Sequence, residues 1–211
     1  MLSQFTISVY AQNDMLIEQL SNRLVVRNNF DKNNNLVNKQ TFKVGRIKKV
    51  NSYLEIDVVT QLFNKKGESI EKYTTIYRCN PDESSIMVMI FPFSNSKTKK
   101  TKINSTSKKF NELYNLENLE DAEMEINFDS GLLDFFGSQT RIKIHGRTLQ
   151  SNGAVNVIKS KVNVNAYAFG IRIKRYNYTV IEKLTLKGVL IFQKFTEKEG
   201  SYFTMEYKKQ E

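Results

Sequence analysis

Few residues in this sequence have side chains able to do chemistry, and their spacing limits what that chemistry could be. His145 is the only histidine and sits in the alternating run Arg141-Ile142-Lys143-Ile144-His145, with Lys143 and Arg147 as cationic neighbours. A catalytic triad or a histidine-based metal site needs partners held against the ring. None is identifiable here, so His145 is expected to be a solvent-facing or hydrogen-bonded strand residue. Cys79 is the only cysteine, which excludes an intramolecular disulfide and any CxxC redox or zinc pattern. Near the end of a strand it reads as a small buried hydrophobe. Glu123 and Glu125 would share one face of a strand, where they could hold a cation, but acid–base catalysis needs two carboxylates in unlike environments. No P-loop, GxGxxG, GxSxG or HExxH pattern occurs. No catalytic, cofactor-binding or metal-ligating residue is therefore assigned, and a non-enzyme is expected.

Charge and apolar runs point to binding instead. The formal net charge is +10, unevenly spread. Ser94 to Lys109 holds six lysines and no acid, whereas Phe110 to Asp134 holds eight carboxylates and no Lys or Arg. Residues 94–109 are expected to be a mobile basic loop beside an acidic surface. Lys97, Lys99, Lys100 and Lys102 would be its contact points for an anionic surface or polymer, such as nucleic acid, lipid head groups or polysaccharide. Arg172-Ile173-Lys174-Arg175-Tyr176-Asn177-Tyr178 interleaves cations and aromatics as a single-strand stacking platform would, but export would keep the chain from cellular nucleic acid. The most apolar stretch, Ile86-Met87-Val88-Met89-Ile90-Phe91, reads as a strand buried on both faces, or as the wall of an apolar cavity shaped by flexible methionines. With the apolar strand Val189 to Phe192, it makes Met87, Met89, Phe91, Leu190 and Phe192 the candidate lining for a lipid or other apolar ligand.

The elements that must position these residues are strands. Tyr53 to Asn64 alternates, Asn64-Lys65-Lys66-Gly67 turns, and Ile70 to Cys79 returns with β-branched and aromatic residues; Gly67 suits the positive φ that such a turn needs. The same plan, an aromatic residue closing a strand before a charged polar turn, recurs at Phe30-Asp31-Lys32-Asn33 and Phe195-Thr196-Glu197-Lys198-Glu199-Gly200. Further strands are expected at Leu24–Val26, Leu36–Val44, Ile47–Val50, Glu123–Phe128, Arg141–His145, Val155–Tyr167, Val189–Phe192 and Tyr202–Tyr207, and Ile171–Lys174 with Tyr176–Ile181 make either a strand pair or one long bent strand. Gly45 is expected to mark a bend. Phe110, Leu113, Tyr114 and Leu116 lie near helical spacing. The expected fold is all-β: an antiparallel meander of some ten to twelve strands forming a curved sheet, barrel or half-barrel, with at most one short helix near 108–120. Residues 13–211 form one domain. Phe5-Thr6-Ile7-Ser8-Val9-Tyr10-Ala11-Gln12 reads as the end of a secretory signal peptide, making 1–12 a signal remnant and the location extracytoplasmic (periplasmic, outer-membrane associated or secreted). No stretch approaches the 18 or so apolar residues of a spanning helix.

Four segments, FDKNNNLVNKQTFKV (30–44), FNKKGESIEKYTTIYRC (63–79), DAEMEINF (121–128) and GVLIFQKFTEKEGSYFTMEY (188–207), resemble the TapB-like group of exported bacterial proteins, a domain-of-unknown-function family. The last segment is similar to that group's GVGLV strand, Lys/Gly hairpin and closing strand. The chain departs from the group at Val162–Tyr167, where a TPAGTF-like segment is usual, and at Leu184-Thr185-Leu186, where a Trp-Tyr pair is usual. The resemblance implies export and a lipocalin-like curved antiparallel sheet, and it carries no catalytic residues.

Overall fold

The computed structural model describes residues 19–79, 100–105, 110–128, 139–168 and 170–210. Within them the chain is all-β, as the alternation implies. The strands are β1 (Arg23–Phe30), β2 (Leu36–Val50), β3 (Tyr53–Asn64), β4 (Ser69–Cys79), β5 (Lys100–Ser105), β6 (Ala122–Phe128), β7 (Gln139–Ser151), β8 (Val155–Ala168), β9 (Ile171–Thr185), β10 (Leu190–Glu197) and β11 (Tyr202–Lys209). A helical turn, α1 (Phe110–Leu113), falls where helical spacing was read.

Hydrogen bonding runs in the order β1-β11-β10-β9-β8-β7-β6-β5-β4-β3-β2, and β1 also pairs with β2, so the order returns to its start as a barrel. The described junctions are antiparallel except β4–β5, where Ile76, Tyr77 and Arg78 lie opposite Lys100, Thr101 and Lys102 in parallel. Part of the expected basic loop is thereby corrected: Lys100–Ser105 is a strand. Its high polarity suggested a loop, but Thr101 and Ile103 suit a strand, and pairing with β4 and with Ile126–Phe128 outweighs the polarity. The rest of that loop (94–99, 106–109), the apolar run 86–91 and segment 1–12 lie outside the described residues. Gly45 does not divide two strands. It sits at a bulge within β2 between Val44 and Ile47, where an added Cβ would lie 3.1 Å from the Asp57 carbonyl oxygen.

The seam between β1 and β11 joins opposite ends of the chain in unbroken register, from Arg23 opposite Lys209 to Phe30 opposite Tyr202. Gln210 fastens it. Its side-chain amide donates to the carbonyls of Val44 (2.7 Å) and Arg23 (2.9 Å), and its backbone N–H donates to Asn22 (3.3 Å).

One turn design closes four hairpins. The carbonyl of the first residue accepts from the N–H three residues on, at Asp31/Asn34 (3.1 Å), Asn64/Gly67 (3.0 Å), Thr185/Gly188 (2.9 Å) and Glu197/Gly200 (3.1 Å). The fourth residue takes positive φ in each, from 66° at Asn34 to 98° at Gly200, which glycine and asparagine tolerate best. Asp31 Oδ1 also accepts from the N–H groups of Asn33 and Asn35 (2.9 and 2.8 Å), and Asn64 Oδ1 from Lys66 and Glu68 (2.9 and 3.0 Å). Three copies are those read in the sequence. The fourth, at Thr185, lacks the leading aromatic residue and went unrecognised.

Side chains alternate between a lumen and an outer face. At the end holding the β2–β3, β7–β8 and β9–β10 turns, Val44, Ile56, Val58, Ile158, Leu184 and Leu20 pack as a buried apolar core. Residues 110–121 enter there: Leu113 and Tyr114 are buried, and Leu116 and Leu119 pack against the same cluster. The bulge at Gly146 and Arg147 holds this acidic segment by donating to Asp121 Oδ1 (3.0 Å) and the Glu120 carbonyl (3.1 Å). Toward the opposite end the same inward rows change. On β9, Val180 and Tyr178 are buried, Tyr176 is half-buried and Lys174 exposed. On β2, buried Phe42 gives way to half-buried Gln40 and Asn38, and on β1, buried Val25 gives way to half-buried Arg27 and Asn29. The lumen is packed at one end and solvated at the other, which we call the mouth.

Candidate ligand site in the barrel lumen

A single cross-strand row links the two regions. Glu182 lies opposite Gln193, Gln193 opposite Met205, Met205 opposite Arg27, Arg27 opposite Gln40, Gln40 opposite Leu62 and Leu62 opposite Glu71. Directly opposed residues share a face of the sheet. Polar side chains are thus carried into the lumen at two places, with Met205 between them.

The first is sealed. Glu182 is 5% exposed, and its Oε1 accepts from the Tyr114 hydroxyl (2.5 Å) and the Gln193 amide (2.7 Å). Gln193 Oε1 in turn accepts from the Tyr207 hydroxyl. Burial pushes both phenols well above their ordinary pKa, and the nearby Glu182 adds to the effect. A buried carboxylate is tolerated only when hydrogen-bonded. These donors do that and pin the 110–121 segment to β9. With its Oε1 taken by two donors and little exposure, Glu182 is placed for structure and not for proton transfer to a substrate.

The second lies at the mouth. Arg27 places its guanidinium carbon 4.2 Å from the centre of the Phe203 ring, and its Nε donates to Asn29 Oδ1 (2.8 Å), which is steadied through the Asn29 amide on Asn38 Oδ1 (2.5 Å). Phe203 stacks on Phe195 (4.6 Å, 13°), and Tyr178 meets both rings edge-on (5.8 and 5.7 Å). Tyr176 stacks beside Tyr178 at 6.1 Å. Burial lowers the Arg27 pKa to about 10, against a smaller opposing influence of Tyr178 and Tyr176. It stays cationic at neutral pH, in surroundings where a cation–π contact is worth about 2 kcal/mol. Opposite it, Gln40 Oε1 is buried with no hydrogen-bond partner.

The residues singled out from sequence are scattered. Leu190 is buried in the core, but Phe192 shares the outer face with exposed Lys183, whose Nζ sits 5.2 Å from its ring centre. Met87, Met89, Phe91, Lys97 and Lys99 lie outside the described residues. Lys100 and Lys102 are backbone partners of Ile76 and Arg78. His145 Nε2 lies 2.9 Å from Asn163 Oδ1, within a polar row in which the Asn163 amide donates to Asn177 Oδ1 (2.7 Å). The run Arg172–Tyr178 forms no single platform, because it alternates faces: Tyr176 and Tyr178 line the lumen, while Arg175 bonds to Asn177 outside (3.2 Å). Among the described residues no group of three His, Cys, Asp or Glu is placed to hold a metal. Arg27, Gln40 and Glu182 were missed by sequence reasoning. The one available signal was a polar residue at a core-face position, as in Val25–Arg27 and Val180–Glu182–Leu184. It was masked because Val26 and Ile181 put apolar residues in the other phase too.

No family model matches the chain, and no curated protein matches it. Among solved structures, one from Parabacteroides distasonis described as a "putative lipoprotein" is 12% identical, with TM-score 0.44 over 90% of this chain and 94% of its own. Another, from Bacteroides fragilis and described as a "putative exported protein with YmcC-like fold", is 9% identical, with TM-score 0.43 over 89% and 94%. Neither description names the TapB-like group; each describes a lipoprotein or an exported protein.

Proposed function

We propose that this chain is a non-enzymatic, extracytoplasmic protein of the cell envelope that binds a ligand in its barrel lumen, entered from the mouth. The observation that carries the reading is the graded exposure of inward rows: Gln40, Leu62, Tyr73 and Tyr176 face the lumen yet remain half-buried. A concave site with aromatic walls and a few placed polar groups is what small ligands use. Envelope placement rests on the Phe5–Gln12 pattern. Phenylnaphthylamine, a dye that brightens on leaving water, tests the site. Saturation at one dye per chain, abolished by Leu62→Trp, which fills the mouth, is expected. Equal binding by Leu62→Trp would put the dye elsewhere and reject the lumen.

A second reading, a basic module for an anionic polymer, is favoured by exposed Lys143, Lys159, Lys161, Arg175 and Lys183 on the outer face of β7–β9. Lys97, Lys99, Lys100 and Lys102 would add to it. Salt-dependent retention on a polyanion column would support it, and absence of binding at low salt would end it.

A further inference from the structure

The outer face carries charge that a ligand in the lumen would not use. From Gln139 to Thr196 the sequence holds eleven Lys and Arg and one carboxylate, Glu182, and the fold turns Glu182 into the core. Facing out instead are the exposed Lys143 on β7, Lys159 and Lys161 on β8, and Arg175 and Lys183 on β9. Lys159 stands opposite Thr148 and Ile181, Lys161 opposite His145 and Thr179, Arg175 opposite Asn165, and Lys183 opposite Val157 and Phe192. No two of these cations are directly opposed, the arrangement that would cost stability. Acids return at the borders, with Glu123 opposite Lys143 and Glu125 bonded to Arg141 (3.0 Å) on β6, and Glu206 opposite Phe192 on β11. Among the described residues no carboxylate pairs with Lys159, Lys161, Arg175 or Lys183.

Hydrogen-bonding groups run through the patch. The Asn163 amide and Arg175 Nε both donate to Asn177 Oδ1 (2.7 and 3.2 Å), which leaves the amide N–H groups of exposed Asn177 as donors. Rings and aliphatic groups contribute little. Arg141 sits over the Tyr167 ring and Lys183 over the Phe192 ring, each 5.2 Å from its centre. The exposed Ile171 and Ile173 lie beyond the patch, at the β8–β9 tip. Single-stranded nucleic acid draws on open rings that stack its bases, and a bilayer surface on apolar side chains that enter it. A hydroxyl-rich polyanion needs neither.

We propose that the outer face of β7–β9 binds an acidic polysaccharide, a hydroxyl-rich chain carrying carboxylates along its length. The carboxylates engage Lys159, Lys161, Arg175 and Lys183, and sugar hydroxyls accept from the Asn177 amide. Each exposed contact is weak, but a repeating polyanion engages several at once.

This inference rests on the anionic-polymer reading and is independent of the lumen. Polygalacturonate, single-stranded polythymidylate, neutral dextran and phosphatidylglycerol vesicles are the probes, each at low salt. Polygalacturonate should bind most tightly and weaken as salt rises, and dextran should not bind. Lys159→Gln with Lys161→Gln should weaken polygalacturonate binding about five-fold. Lys65→Gln with Lys66→Gln, which removes the same charge from the β3–β4 turn, should change it by less than about two-fold. Asn177→Ala should weaken it about three-fold at an unchanged salt slope, a loss that bare charge would not produce. Equal losses in the two double variants, or none in Asn177→Ala, overturn the assignment. Tighter binding of polythymidylate overturns the glycan while sparing the anionic-polymer reading; retention of the vesicles alone, or of no probe, rejects both.

Discussion

At the residue scale, Glu182 shows how this chain tolerates a carboxylate in its core. The Tyr114 and Gln193 donors satisfy Oε1, and Tyr207 completes the chain of bonds. Removing one donor to a buried charged acceptor costs about 1–3 kcal/mol. Tyr114→Phe should therefore lower the unfolding free energy, read from the urea midpoint and slope, by that amount, and Tyr207→Phe by less, since its bond is to a neutral amide. The same burial raises the pKa of Tyr114, Tyr178 and Tyr207 in the folded state. A phenol that holds its proton more tightly when folded contributes stability in full below the unfolded value near pH 10, and loses it as pH climbs above that. In an alkaline absorbance titration these three should ionise together, in one cooperative step with unfolding. Smooth ionisation of all ten tyrosines near pH 10, with the fold intact, would contradict their burial. None of this was legible from sequence: Glu182 sits between Ile181 and Lys183, and only the register that turns Val180 and Leu184 inward brings it into the core.

At the element scale, the turns were the most legible feature. A positive-φ residue leaves a strong local signature, and the hairpin Tyr53–Cys79 forms as read, with Gly67 at φ 83°. Gly188, at φ 77° in the copy that was missed, has nothing within 4 Å of an added Cβ. Gly188→Ala should thus isolate the backbone penalty and cost about 1–2 kcal/mol, read as a lower melting temperature. Asn34→Gly, at the equivalent place, should be neutral or stabilising. Elements fixed by distant partners were less legible. β2 runs through Gly45 because β3 pairs on both sides of the bulge, and β5 is a strand because β4 and β6 flank it. Local composition carries neither fact.

At the scale of the whole molecule, alternation foretold strands but not their order round the ring. Pairing of Arg23–Phe30 with Tyr202–Lys209 is a contact between the two ends of the chain, and no local pattern encodes it. Such long-range pairing makes slow folding, in milliseconds to seconds, the expectation. Asn28 and Thr204 are direct partners across this seam. In a Cys79→Ser background, Asn28→Cys with Thr204→Cys should form an intramolecular disulfide under mild oxidant and stabilise the fold by a few kcal/mol, about 4 at most in practice. Failure to cross-link in the folded protein would mean that the ring is open at β1–β11.

The account turns on a lumen packed at one end and solvated at the other, with Arg27 and Gln40 at the boundary. Two-dimensional NMR of the labelled protein, titrated with phenylnaphthylamine, tests this most directly. Shifts should cluster on Arg27, Gln40, Leu62, Tyr176 and Phe203, and leave the outer-face residues Asn163, Asn177 and Lys183 unmoved. Shifts confined to the outer face, or no shifts while the protein remains folded, would contradict a ligand site in the lumen.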